Sequence, residues 1–149
     1  MEKTAILFVD DEEVIRQSFV RELEMEQFAV TAVADGAEAI SAFAAGHFAV
    51  VITDLVMPGL DGFGVLKEVK RQAPQTSVII LTGYGDMRSA IDALRLGADD
   101  FTLKPCEIEE LVFRIRRWLE KQSLLRTLVE QNHRLEEEVE RRRQAEDEI

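Results

Sequence analysis

The chain has 149 residues, 46% of them hydrophobic, with a formal net charge of -11 at pH 7, enough for one domain with a complete core plus an appendage. A single cysteine, Cys106, excludes an internal disulfide or thiolate metal cluster, and the acidity opposes direct contact with nucleic-acid phosphates. No apolar run approaches the roughly 20 residues of a membrane span, and no basic, apolar leader is present, so a cytoplasmic protein is expected.

Strand-sized apolar runs occupy 4–9, 28–33, 48–53, 77–81 and 99–103. The first ends in Val9 and is followed by Asp10-Asp11, after which Val14, Ile15, Phe19, Val20 and Leu23 recur as one helical stripe. Asp35-Gly36 predicts the start of a second helix and Gly46 its end. The third run ends at Thr53-Asp54 and meets Pro58-Gly59, and Asp61-Gly62 then opens a helix that Pro74 closes. The fourth run leads to Thr82, with Gly85-Asp86 as the expected cap of a helix ended by Gly97. The fifth contains Phe101 and ends at Lys104-Pro105, and a last helix is expected from near Glu107 to Ile149 without a breaker. As one helix it would be about 60 Å long. Five alternations of strand and helix predict an α/β, doubly wound, five-stranded parallel sheet with helices on both faces and right-handed crossovers.

In a parallel sheet the carboxyl ends of the strands share one edge, so Asp10, Asp11, Asp54, Thr82 and Lys104 converge in one crevice. Oxygen ligands of this kind suit Mg2+, with Asp11 and Asp54 as ligands and Asp10 acting through water. A carboxylate attacking phosphorus in line forms an acyl phosphate, for which Asp54 is the candidate nucleophile. The Lys104 ammonium and the Thr82 hydroxyl would meet charge on the equatorial oxygens. Taken singly, Asp10-Asp11 fits a helix cap, Thr82-Gly83 a turn and Lys104 a surface lysine. As a set at the ends of the first, third, fourth and fifth strands they point to function.

The last helix outruns the sheet, and from Trp118 to Leu125 its pattern changes. A heptad then places Leu125, Asn132, Val139 and Glu146 at a, and Leu128, Leu135, Arg142 and Ile149 at d. Asn at a favours a parallel two-stranded coiled coil, and Glu138 at g can pair with Arg143 at e of a second helix. A solvated single helix is the alternative. The division expected is 1–120 for the domain and 121–149 for a helical linker, with the pattern continuing into a further domain. His133 falls at the outer b position, and His47 has no identifiable partner.

The pieces Val9-Asp10-Asp11-Glu12, Asp54-Leu55-Val56-Met57-Pro58-Gly59-Leu60-Asp61-Gly62, Leu81-Thr82-Gly83 and Lys104-Pro105 closely resemble the receiver domain of two-component response regulators, over about residues 4 to 120. The resemblance implies a flavodoxin-like sheet of order 2-1-3-4-5. It implies that Asp54 takes a phosphoryl group from the phosphohistidine of a sensor histidine kinase or phosphotransfer protein. Asp11, Asp54 and the Val56 carbonyl would ligate magnesium, with Asp10 helping through water. Lys104 would contact the phosphoryl group, positioned by a cis bond to Pro105, while Thr82 and Phe101 would form the switch. Val56 and Tyr84 would flank the pocket.

Relatives also dimerise through the face corresponding to 86–120, so a homodimer is expected through that face, the C-terminal helix, or both. By itself the domain would only acquire and lose its own phosphoryl group. A further signalling module, such as a histidine kinase, is the favoured output. The alternatives are a DNA-binding or cyclic-nucleotide output, or a silent dimerisation module. A phosphatase with an aspartyl nucleophile would often carry a second acid two residues after Asp54, where this chain has Val56.

Overall fold

The computed structural model describes residues 2–147, so Ile149 of the expected seam lies outside the described residues. In chain order the elements are β1 (Ala5–Val9), α1 (Glu13–Met25), β2 (Ala29–Val33), α2 (Gly36–Ala45), β3 (Val50–Thr53), α3 (Gly62–Gln72), β4 (Ser77–Gly83), α4 (Met87–Arg95), β5 (Asp100–Lys104) and α5 (Ile108–Asp147). The strands form one sheet of order β2-β1-β3-β4-β5, and every neighbouring pair is parallel. The expected fold class and strand order are those observed.

Alternation along each strand divides the core into two layers. Leu7, Val9, Val51 and Ile80 face α2, α3 and α4 through Ala39, Phe43, Val65, Leu66, Val69, Ala90 and Ala93. Ile6, Phe8, Ile52, Ile79 and Leu81 face the other way, onto Leu23 of α1 and Leu111, Val112 and Ile115 of α5. All four residues of β3 are buried, because a central parallel strand is covered on both faces, and its sequence is accordingly a continuous apolar run.

The helix ends follow local chemistry at two of the three expected caps. Asp35 Oδ1 accepts from Glu38 N at 2.8 Å, capping α2, while Glu38 Oε2 accepts from Ala34 N, just before the cap, at 3.0 Å. Asp61 Oδ1 accepts from Gly64 N at 3.1 Å. Asp86 makes no such bond: a single 3-10 turn, Tyr84–Asp86, leads directly into α4 and leaves that side chain without a capping role. Gly97, with φ 113, ends α4 in a conformation that glycine adopts without strain. Val14 leaves the expected stripe of α1 and is 79% exposed. It sits about 100° around the helix from Ile15, outside the face that Ile15, Phe19 and Leu23 turn to the sheet.

α5 runs unbroken for 40 residues, of which Leu111, Val112 and Ile115 are buried. Polar bonds fasten its next turns to the amino-terminal edge of the sheet. Asp100 accepts from Arg114 Nη1 at 2.8 Å and from Trp118 Nε1 at 3.1 Å. Gln122 Nε2 donates to Ala49 O at 2.9 Å and to Ser77 Oγ at 2.7 Å. Beyond Gln122 the apolar side chains Leu125, Leu128, Leu135 and Val139 are exposed. Glu138 pairs with Arg142 on its own helix at 3.0 Å, and His133 with Glu137 at 3.0 Å. No helix among the described residues is long and apolar enough to cross a membrane.

Candidate functional site

Register carries the acids to one place. β1 and β3 pair with Val9 opposite Thr53, and Asp54 N donates to Val9 O at 3.0 Å, so Asp54 emerges beside Asp10. β4 and β5 pair with Thr82 opposite Leu103 and Gly83 opposite Lys104, which brings a hydroxyl and an amine to the same edge. Lys104 is the last residue of β5, and its bond to Pro105 is cis.

Lys104 is the hub. Its Nζ donates to Asp10 Oδ2 at 2.6 Å and to Asp54 Oδ2 at 2.8 Å. Asp54 Oδ1 accepts from Thr82 Oγ1 at 2.8 Å and from Val56 N at 3.3 Å. Asp10 Oδ1 accepts from Glu12 N at 2.9 Å, and Arg16 Nη1 donates to Asp10 O at 2.8 Å. Asp10 and Asp54 are both buried, so charge-assisted bonds are what make their ionised forms tolerable there. Burial acts to lower the Lys104 pKa, but hydrogen bonds and charge from Asp10 and Asp54 outweigh it and hold the ammonium above its ordinary 10.5.

The donor set suits a hard cation. Asp10, Asp11 and Glu12 each bring a carboxylate oxygen within 4.8 Å of the others, Asp10 buried and the other two exposed. Oxygen-only ligands with one side open to water match a magnesium ion, which keeps several waters. Asp54 turns its oxygens to Lys104 and Thr82, and Glu12 joins the acidic cluster although sequence reasoning gave it no role. The signal was present in the run Asp10-Asp11-Glu12, whose last member resembled an ordinary helix-start acid.

One further feature was missed. Gly62, taken only as a helix start, lies against the Asp54 backbone: a Cβ there would fall 2.2 Å from Asp54 O and 2.7 Å from Leu55 Cα. The start of α3 therefore sets the path of the loop that follows Asp54. Asp100, next to Phe101, joins β5 to α5 through Arg114 and Trp118. Phe101 is half-buried and packs against the core layer shared with α4, while Thr102 faces the other layer. Val56 and Tyr84 are exposed, 59% and 71%. Leu125, Leu128, Asn132, Leu135 and Val139, expected in a coiled-coil seam, lie along the exposed tail of α5, away from the crevice.

Comparison with known proteins places this architecture. The model of the response regulator receiver domain matches residues 6–116. The uncharacterized transcriptional regulatory protein YkoG of Bacillus subtilis is 42% identical over 116 residues, covering 78% of this chain and 51% of YkoG. The receiver domain protein from Clostridium thermocellum superposes with a TM-score of 0.78 at 35% identity, over 82% of this chain and 98% of that one. TrrA from Thermotoga maritima, solved in complex with Mg(2+)-BeF, gives a TM-score of 0.71 at 31% identity, over 77% and 98%. The chain spans between 49% and 51% of the length of the first three curated relatives. With a match that reaches from β1 into α5, the chain belongs to the response regulator receiver domain family.

Proposed function

We propose that this chain is the phosphoacceptor of a two-component relay, with Asp54 receiving a phosphoryl group from the phosphohistidine of a sensor histidine kinase or phosphotransfer protein. The observation that carries the reading is a nearly buried carboxylate clamped between the Thr82 hydroxyl and the Lys104 ammonium at the mouth of a central strand. Attack by an Asp54 oxygen forms the O–P bond of an acyl phosphate as the P–N bond to imidazole breaks, and the electron pair leaves with the imidazole nitrogen. One of the two clamping bonds must be released for that oxygen to reach phosphorus. Lys104 and Thr82 are then within reach of the phosphoryl oxygens that carry the transferred charge. Asp10, Asp11 and Glu12, with Asp54 and the Val56 carbonyl, are the candidates to hold magnesium, which when bound supplies positive charge to those oxygens. That TrrA was solved with Mg(2+)-BeF supports the choice of metal.

In this reading residues 1–120 form the receiver, 121–149 the connecting helix, and Thr82 with Phe101 the switch. The exposed apolar residues of the tail support pairing with a second copy, through the tail and through the 86–120 face. The relatives' names favour a DNA-binding output in the parent protein over the histidine kinase expected from the tail. A phosphatase role is disfavoured because an exposed Val56 stands where a second acid would sit.

The test is an intact mass after incubation with magnesium and a small acyl-phosphate donor, beside Asp54→Asn. One magnesium-dependent phosphoryl adduct, absent from the variant, is the expected result. An unlabelled wild-type chain, under conditions that label a known receiver, would leave the silent dimerisation module as the better reading.

A further inference from the structure

Two of the four crevice acids are held by other groups and two are not. Asp10 is fixed at four atoms: its N donates to Val33 O at 3.2 Å, its Oδ1 accepts from Glu12 N at 2.9 Å, its Oδ2 from Lys104 Nζ at 2.6 Å, and its carbonyl oxygen from Arg16 Nη1 at 2.8 Å. Asp54 is clamped between Thr82 and Lys104. The side chains of Asp11 and Glu12 are exposed and accept no hydrogen bond among the described residues, yet each brings an oxygen within 4.8 Å of the others and of Asp10. Their place is therefore set by the main chain.

Arg16, half-buried in the first turns of α1, grips that stretch of main chain at both ends. Its N donates to Glu12 O at 3.0 Å, and its Nη1 to Asp10 O at 2.8 Å. A peptide group is planar, so the Asp10 carbonyl oxygen cannot turn without carrying Asp11 N and Cα with it. Resting on the magnesium reading above, we propose that Arg16 is a positioning residue of the metal site: by fixing the Asp10 carbonyl it holds Asp11 and Glu12 where their oxygens gather with those of Asp10. It acts through the main chain and not as a ligand, since a guanidinium has no lone pair to offer a cation.

Two plainer roles compete with this one. Arg16 could only satisfy the carbonyl of a buried residue, or only offset the repulsion among crowded carboxylates. The three roles differ in what magnesium would feel. If satisfaction of the carbonyl were all, loss of Arg16 would lower stability and leave metal affinity unmoved. If charge were all, its loss would tighten magnesium, because a fixed positive charge repels the incoming cation. Loss of positioning weakens the metal, and groups that orient metal ligands typically contribute about 10–100-fold to affinity.

Isothermal titration calorimetry of the full, unphosphorylated chain with magnesium chloride tests the inference, with circular dichroism in chelator to establish that each variant is folded. Arg16→Gln, which loses both the charge and the reach of the guanidinium, is expected to bind magnesium about tenfold more weakly than the wild type. Arg16→Lys, which keeps the charge and one donor group, should fall between the two. An affinity that stays the same or tightens in Arg16→Gln overturns the positioning role while leaving the metal site intact. Should Arg16→Gln fail to fold, an affinity in Arg16→Lys equal to that of the wild type overturns it instead. A wild type that takes up no magnesium overturns the metal reading, and the inference with it.

Discussion

Replacing Lys104 by methionine keeps much of the aliphatic stem and removes the one ammonium that both buried carboxylates share. Two charge-assisted hydrogen bonds of 2.6 and 2.8 Å disappear, and Asp10 and Asp54, with side chains 1% and 9% exposed, are left facing each other. Breaking a buried ion pair by deleting one partner costs about 3–5 kcal/mol. The lysine side chain is 16% exposed and water can enter in its place, so the lower end, about 3 kcal/mol, is expected. For a chain of this length that is a fall of roughly 6–12 °C in Tm. The measurement is urea and thermal unfolding by circular dichroism, first in chelator and then in saturating magnesium. Magnesium should stabilise the variant more than the wild type, because it alone then neutralises the acids. A tenfold gain in metal affinity would appear as about 1.4 kcal/mol of extra stabilisation. Neutral pH is a safe working range for the comparison. With its pKa raised above 10.5, the Lys104 contribution is complete below that value and is lost only as pH rises through the folded-state pKa. A variant within about 0.5 kcal/mol of wild type in chelator would show that the ammonium is not what offsets the two acids, well short of the expected loss.

Other outcomes follow from single contacts. Gln122→Ala removes the donor to Ala49 O and Ser77 Oγ and should cost about 1 kcal/mol. Amide exchange should quicken from 123 onward while the turns around Leu111 stay protected; unchanged exchange would mean the bond does not hold the tail. Gly62→Ala forces a methyl onto the Asp54 carbonyl, so a loss of about 1–3 kcal/mol together with slower phosphoryl acceptance is expected. Full stability and normal labelling would show that the α3 start does not constrain the loop. Burial pushes the Cys106 thiol above its ordinary 9.0, with the Thr102 hydrogen bond opposing. Less thiolate is then available, and alkylation at pH 8 should be much slower in the folded chain than in urea; equal rates would contradict that environment.

The crevice was legible because a buried parallel strand announces itself as an apolar run, and the residue that ends the run is delivered to the edge. Asp54 and Lys104 needed only that rule, although the bond from Lys104 to Asp10 joins residues 94 apart in sequence. Asp35 and Asp61 were legible as caps because their partners lie within one turn. What failed depended on tertiary direction. Val14 fits the helical spacing as well as Ile15 does, and only docking of α1 decides which faces the sheet. Asp86 has the right residue type, but a 3-10 turn replaces the cap. Gln122 looks like any polar residue on a long helix, since its partners lie 73 and 45 residues away. Glu12 shares its position type with many helix-start acids, and only the fold gathers it with Asp10 and Asp11.

The two edges of the sheet are joined by the same strands. β4 carries Thr82 against Asp54 at its carboxyl end and Ser77 under Gln122 at its amino end. β5 carries Lys104 at one end and, at the other, Asp100 under Arg114 and Trp118. From Ser77 to Thr82 the chain rises about 17 Å, through residues buried on both sides, so β4 behaves as a rod rather than a hinge. Position between two sites is not coupling, however, and stability effects of residues more than about 10 Å apart usually add. In the unphosphorylated chain, Thr82→Ala and Gln122→Ala should therefore be additive within about 0.5 kcal/mol. Non-additivity that emerges only after Asp54 is phosphorylated would mean that phosphorylation selects a second arrangement of β4, β5 and α5 in which the crevice and the tail depend on each other. Non-additivity already present without phosphate would refute the rigid-strand account.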